Sequence, residues 1–125
     1  MKKVFVNGYG SIGSRISQFI KDDSEIEVIG VGKYSPDEKV NLAISRGFSV
    51  YVPKKKWDLF KNYKISGTIE DAISDCDLVI DASPSGHGFL NKKIYTSQKT
   101  YWLFIKEVNQ FMEKKQYLTY CLTHV

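Results

Sequence analysis

The sequence predicts an α/β fold in which helices cover both faces of a doubly wound, mostly parallel sheet. Two observations predict it. Apolar strand-like runs alternate with amphipathic helix-like segments from Lys3 to Ala82, and a glycine-rich turn joins the first strand to the first helix. The 125 residues, 42% hydrophobic and 26% charged, are enough for one globular core. We therefore expect right-handed crossovers and a first strand that lies centrally in the sheet.

The apolar pattern also gives the order of the elements. The predicted strands are Lys3–Val6, Glu25–Val31, Phe48–Val52, Lys64–Ser66, Asp77–Ala82 and, as a further candidate, Tyr101–Ile105, and the predicted helices begin at Ser11, Ser35 and Thr68. Thr68 is expected to be the N-cap of the third helix, and Pro36 to stand in the first turn of the second. Trp57–Phe60 is typical of a short helical turn. Ser83–Gly88 is expected to be a turn-rich loop at the C-terminal end of a strand, where such sheets bind ligands.

The glycine turn, residues 8–13, has the pattern Gly-x-Gly-x-x-Gly between the first strand and the first helix. Gly8 permits the tight turn, Gly10 lets the backbone approach a pyrophosphate, and Gly13 lets the helix pack closely on the strand. The free N–H groups at the start of the helix then face the phosphates. In this context the motif predicts a dinucleotide site, and a βα turn without a ligand is the alternative.

The residues after the second strand favour NADP, or the use of both NADP and NAD, over strict NAD. NAD specificity usually comes from an acid at this point, which accepts the ribose hydroxyls. No acid stands between Val31 and Ser35, but Lys33 does. Its ammonium would attract the 2′-phosphate of NADP, and the sequence at this point shows no carboxylate to oppose it. An exposed loop lysine without a ligand is the alternative.

Composition excludes several classes of partner and site. The net charge is +4, and the densest basic run is Lys54–Lys56, too short for the basic stripe that nucleic-acid binding needs. We expect a solvated loop there. No apolar run reaches the roughly 18 residues of a membrane span, and the N-terminus lacks an apolar signal segment. Cys76 and Cys121 lie far apart, so neither a disulfide framework nor a metal site is expected, and a cytoplasmic location fits best.

Four motifs, taken in order, resemble the N-terminal domain of the archaeal-type phosphorylating glyceraldehyde-3-phosphate dehydrogenases. They are residues 7–13, Val31–Lys33, Gly67–Asp71 and Asp81–Pro84, and the resemblance covers Met1–Tyr95. It implies a Rossmann-type domain of a tetrameric, cytoplasmic enzyme that oxidises glyceraldehyde 3-phosphate with NAD or NADP and phosphate.

The resemblance also implies roles for individual residues. Ser11 and Ile12 match the cofactor contacts at the helix N-terminus, Lys33 matches the 2′-phosphate contact, and Ser83 and Pro84 fall in the loop beside the nicotinamide. The Gln-Gly-Gly-Glu and Ser-Cys-Asn-Thr-Thr segments of the family, which lead to its nucleophilic cysteine, do not occur in this sequence. We therefore assign no catalytic residue.

The remaining reactive side chains have simpler interpretations. Cys76 lies between a predicted helix and a buried strand and is expected to be a small core residue. Cys121 lacks the family context of a nucleophile, His87 is expected to be a plain loop histidine, and His124 stands next to the C-terminal residue. These positions support neither a metal site nor covalent catalysis.

The pattern changes from about Thr96 onward, and we divide the chain into a dinucleotide-binding domain, residues 1–100, and a nonconforming tail, residues 101–125. Read one frame away, codons for Ile105–Asn109 can encode Gln-Gly-Gly-Glu, and we hypothesise a frameshift between Tyr95 and Trp102. The chain would then be the cofactor-binding part of a truncated enzyme, inactive alone or paired with a separate catalytic polypeptide or its own copies. The alternatives are a stand-alone dinucleotide-binding or sensing module, with a tail helix at Glu107–Lys115, and the cofactor half of another NAD(P)-dependent oxidoreductase.

Overall fold

The computed structural model describes residues 1–84, 87–98 and 100–105. In these residues, neighbouring strands pair in parallel to form one six-stranded sheet. The strands are β1 (Lys2–Asn7), β2 (Ile26–Gly32), β3 (Val50–Val52), β4 (Gly67–Thr68), β5 (Leu78–Asp81) and β6 (Tyr101–Phe104). Their order across the sheet is β4-β3-β2-β1-β5-β6, so β1 lies in the interior as predicted.

Helices cover both faces of the sheet. They are α1 (Ser11–Ile20), α2 (Glu38–Ser45), α3 (Ile69–Asp75) and α4 (His87–Ser97), with a 3-10 helix at Lys54–Phe60. Side chains of β1 alternate between the faces: Val4 and Val6 pack in the cluster that holds Ile16 of α1, and Phe5 packs in the cluster that holds Ile73 of α3. The predicted doubly wound, Rossmann-type α/β fold is therefore confirmed.

Helix starts follow side-chain capping. Thr68 accepts a hydrogen bond from the backbone N–H of Asp71 at 3.1 Å, so the predicted N-cap of α3 is confirmed. The predicted start of α2 at Ser35 is wrong, because the Asp37 side chain accepts the N–H of Lys39 at 3.0 Å and the helix begins after it. Pro36 therefore precedes the cap instead of standing in the first turn.

The structure contains elements that the sequence pattern missed or misplaced. The short strand predicted at Lys64–Ser66 is wrong, because the strand that pairs with β3 is Gly67–Thr68. The loop predicted through Gly88 is wrong at its end, since α4 begins at His87. The candidate strand after Thr100 is confirmed as β6, which pairs with β5. The division of the chain at residue 100 stays a prediction, and the predicted tail helix lies outside the described residues.

Candidate functional site

The glycine turn lies at the C-terminal end of β1 and leads into α1. Gly8 has a φ of +122°, and a Cβ there would lie 2.4 Å from the carbonyl oxygen of Ala82. A Cβ at Gly13 would lie 1.9 Å from the carbonyl oxygen of Gly8. Both contacts are with backbone atoms, which cannot move aside as a flexible side chain can. The fold itself therefore requires glycine at these two positions.

Gly10 is different, because a Cβ there would meet no other part of the protein within 4 Å. Its φ of −89° is also open to other residues. Gly10 is the N-cap of α1 and provides no side-chain hydrogen bond to the first turn, where no acidic residue stands either. Packing within the described residues gives no reason for glycine here. The space in front of it, at the positive end of the helix, is open to an anionic ligand.

The other predicted site residues of the turn and of the loop after β5 come together here. Ser11 is exposed and Ile12 half-buried in the first turn of α1. A Cβ on Gly8 would lie 2.8 Å from the backbone nitrogen of Ser83, so the loop after β5 touches the glycine turn. Ser83 is fixed by Asp81, which accepts its backbone N–H at 2.9 Å and its hydroxyl. Pro84 follows and is exposed.

Lys33 follows β2, whose last residue also reaches the turn: a Cβ on Gly32 would lie 3.3 Å from the backbone nitrogen of Gly8. The Lys33 side chain is largely buried, and its ammonium forms an ion pair at 3.0 Å with Asp37. The expectation that no carboxylate opposes Lys33 is therefore wrong. The reason is local, since the N-cap of α2 stands four residues after Lys33 and turns its carboxylate back toward the lysine.

Beneath this edge of the sheet lies a buried polar network that the sequence analysis missed. Its members are Asn7, Tyr34, Asp81, Asn91 and Tyr95. The Asn7 amide donates to the Tyr95 hydroxyl at 2.7 Å, and its oxygen accepts the Tyr34 hydroxyl at 2.9 Å. Asp81 accepts the Tyr95 hydroxyl and, at 3.3 Å, the Asn91 amide. The network ties β1, β5 and α4 together.

The two tyrosines of the network are held in the protonated form. Burial raises the pKa of Tyr95 far above its usual value, and the nearby Asp81 charge raises it further. Burial is also the main reason why the pKa of Tyr34 is raised, and Asp81 again adds to it. Both hydroxyls therefore act as lasting hydrogen-bond donors. A signal in the sequence was available, because Asn7 and Asp81 each end a strand directly after three apolar residues.

A pocket of about 610 Å³ opens beside Tyr34 at the same edge of the sheet. We call it the basic pocket; its lining is Tyr34, Pro53, Lys54, Lys55, Lys56, Ile69, Glu70, His87, Asn91 and Ile94. The Tyr34 and His87 rings lie with their centroids 4.6 Å apart. The loop predicted for the lysine run is wrong, because these residues open a 3-10 helix and line the pocket. Lys54 and Lys55 are exposed to solvent, as predicted.

Cys76 is unsuited to nucleophilic chemistry. Its thiol contacts the carbonyl oxygen of Ile73 at 3.5 Å, and burial raises its pKa to about 12. Cys121 lies outside the described residues. Within the described ranges, no three histidine, cysteine or acidic side chains gather as a metal site would require. Among the helices of those ranges, none combines the length and apolar character that crossing a membrane requires.

Comparison with known proteins finds relatives for most of the chain, although no family model matches it. Glyceraldehyde-3-phosphate dehydrogenase of Sulfolobus acidocaldarius is 42% identical over 95 residues, which are 74% of this chain and 28% of that protein. The Methanothermus fervidus enzyme is 37% identical over 98 residues, 76% of this chain and 29% of that protein. The Metallosphaera sedula enzyme is 38% identical over 106 residues, 83% of this chain and 31% of that protein.

The chain thus spans less than a third of the length of these relatives. Among solved structures, saccharopine dehydrogenase (L-Glu forming) of Saccharomyces cerevisiae superposes with a TM-score of 0.58, over 89% of this chain and 24% of that one. At 15% identity this likeness shows the fold alone. The resemblance that the sequence motifs predict is confirmed: over about three quarters of its length, the chain is related to the archaeal glyceraldehyde-3-phosphate dehydrogenases.

Proposed function

We propose that the chain binds a nicotinamide dinucleotide, NADP or NAD, as the cofactor-binding part of a glyceraldehyde-3-phosphate dehydrogenase. The observation that carries the proposal is the open space at Gly10, since glycine there serves no packing within the described residues. The space lies at the start of α1, where β1, β2 and β5 end together. Ligands of doubly wound sheets bind at this edge.

In this proposal each residue of the turn has a separate task. Gly8 and Gly13 keep the strand, turn and helix in close contact, and Gly10 admits the pyrophosphate to the backbone. The N–H groups of Ser11 and Ile12 donate to the phosphates, because the first N–H groups of a helix have no partner within it. The bound dinucleotide supplies hydride transfer at its nicotinamide ring.

The loop after β5 and the end of β2 would contact the two ends of the cofactor. Ser83 and Pro84 would lie beside the nicotinamide, with Ser83 kept in place by Asp81. Lys33 would lie near the ribose of the adenosine. Because its ion pair with Asp37 has no net charge, we propose Lys33 as a ribose contact that discriminates poorly between NADP and NAD.

The described residues supply no nucleophile for the oxidation of an aldehyde. Covalent catalysis needs an activated thiolate with a base within hydrogen-bond reach. Cys76 is a protonated, partly buried thiol that contacts the backbone carbonyl oxygen of Ile73. We therefore propose that these residues bind and orient the cofactor, while the nucleophile and base of the reaction lie outside them.

Thermal unfolding of the purified chain tests the proposal. Saturating NADP or NAD should raise the melting temperature, because a ligand that binds only the folded state stabilises it by mass action. At about 100 times the Kd, the gain is about 2.7 kcal/mol. Adenosine and nicotinamide, added separately at the same concentrations, serve as controls, because neither carries the pyrophosphate. A melting temperature that neither dinucleotide changes would contradict the proposed function.

A further inference from the structure

We infer that the basic pocket binds a phosphate on the adenosine ribose of the dinucleotide, so that Lys54, Lys55 and Lys56 select NADP over NAD. The inference rests on the proposed function, because it needs a dinucleotide on the glycine turn. It assigns a selective role to side chains that follow β3, whereas the sequence motifs assign this role to Lys33, which follows β2. Three features of the pocket support it: its charge, its walls and its position.

The charge of the pocket favours an anion. Within the described ranges, none of the three lysines in the lining forms an ion pair. Glu70 is the one carboxylate of the lining, and it accepts the backbone N–H of Lys54 at 3.1 and 3.3 Å. The lining thus holds three lysines and one carboxylate, so its charge favours an anion. The neutral Lys33–Asp37 pair offers an incoming phosphate dianion less attraction.

The walls of the pocket suit a flat base attached to that ribose. The Tyr34 and His87 rings lie against each other, and Pro53, Ile69 and Ile94 add apolar surface. Ligand pockets combine such apolar walls with a few polar groups in volumes of about 300–1,000 Å³. The volume of about 610 Å³ falls in this range. A base can therefore pack against the walls while a phosphate reaches the lysines.

The position of the pocket matches the end of β2, where the adenosine ribose of a doubly wound fold lies. Tyr34 lines the pocket and follows Lys33 directly. The Lys56 ammonium donates to the carbonyl oxygen of Tyr34 at 3.1 Å and lies 6.0 Å from the centre of its ring. This contact holds the start of the 3-10 helix against the end of β2. The lysines, which follow β3, would therefore lie beside a ribose bound at the end of β2.

Calorimetric titration of the full chain with NADP and NAD tests the inference, using the double variant K54Q/K55Q. Both side chains are exposed and make no side-chain hydrogen bond within the described residues, so the fold should tolerate the change. The parent should bind NADP more tightly than NAD. In the variant, the Kd for NADP should rise about tenfold, the scale of one lost charge-assisted contact, and that for NAD less than about twofold.

Two further variants serve as controls. K61Q/K64Q removes the same charge from exposed lysines outside the pocket and should change each Kd less than about twofold, because screened distant charges contribute little. K33Q/D37N removes one charge of each sign, and Asn can still cap α2, so the ratio of the two Kd values should also change less than about twofold.

The outcomes separate the inference from the proposed function. If K54Q/K55Q loses affinity for NADP and for NAD equally, the inference is overturned and dinucleotide binding stands. The same holds if the ratio of the two Kd values changes in K33Q/D37N and not in K54Q/K55Q. A parent chain that binds NAD as tightly as NADP would also overturn the inference and leave dinucleotide binding intact. If the parent binds neither dinucleotide, both the proposed function and the inference are wrong.

Discussion

Gly10→Val is expected to abolish the rise in melting temperature that NADP and NAD produce, while the free chain still folds. The valine Cβ meets no other part of the protein within 4 Å, so its methyl groups occupy the space through which a pyrophosphate reaches the backbone. Replacing the N-cap glycine by valine costs about 1 kcal/mol or less of stability. Thermal unfolding with and without each dinucleotide measures both effects.

Gly13→Ala is the matched control. It adds a side chain to the same turn at a position where the fold, and not a ligand, requires glycine. Its Cβ would lie 1.9 Å from the backbone oxygen of Gly8, so the helix must move away from the strand. We expect a loss of roughly 3 kcal/mol or more in the free energy of unfolding. Dinucleotide binding by Gly10→Val that equals the parent would show that the turn is structural only. A Gly13→Ala chain as stable as the parent would contradict the described packing of the turn.

The second large effect is a loss in the free energy of unfolding at alkaline pH. In the unfolded chain, tyrosines lose their protons near pH 10 and cysteine near pH 8.5. In the folded chain, burial raises the pKa of Cys76 to about 12 and raises the pKa values of Tyr34 and Tyr95 far above the ordinary one. Above these ordinary values the unfolded state binds fewer protons than the folded state. The free energy of unfolding should therefore fall as pH rises, by about 1.4 kcal/mol per pH unit for each group.

Tyr95→Phe tests the origin of this loss of stability at alkaline pH. The variant lacks one of the titrating groups. Above about pH 10, its free energy of unfolding should therefore fall less steeply with pH, by about 1.4 kcal/mol per pH unit. Near neutral pH the variant should lose about 1–3 kcal/mol, because Asn7 and Asp81 each lose a buried hydrogen-bond partner. Urea unfolding across the pH range measures both effects.

Tyr101→Phe provides the control for that experiment, because Tyr101 is exposed on β6 and lies outside the network. It should change neither the stability near neutral pH nor the slope. An alkaline slope that is the same for Tyr95→Phe and the parent would mean that the buried hydroxyl does not stay protonated as the structure requires.

Local patterns in the sequence predict the fold well because each depends on neighbouring residues. The strand ending at Asn7 holds the apolar run Val4–Val6, and the glycine turn follows it directly. Thr68 caps α3 through a contact three residues away. The helix α4 could not be predicted from a local apolar pattern. Asn91 takes the place of an apolar residue on its buried side, next to Ile94 and Tyr95 in the helical period, so the apolar repeat is too short to recognise.

The candidate site could be predicted only in part, because several of its contacts join residues far apart in sequence. The turn, with Gly8, Gly10 and Gly13, is local, and its sequence pattern predicts it. The network between Asn7 and Tyr95 spans 88 residues, and the contact between Lys56 and Tyr34 spans 22. Such contacts depend on which strand ends the topology brings together. The sequence alone could not show that the lysine run after β3 reaches the end of β2.

The most direct test of dinucleotide binding at the glycine turn is a titration of the ¹⁵N-labelled chain with NADP, followed by the NMR shifts of its backbone amides. We expect saturable shifts that are largest at Gly10, Ser11, Ile12 and Gly13, because their N–H groups meet the pyrophosphate. Smaller shifts should follow at Tyr34. If the shifts are saturable but leave the amides of the glycine turn unchanged, or if no saturable shifts occur, dinucleotide binding at the glycine turn is contradicted.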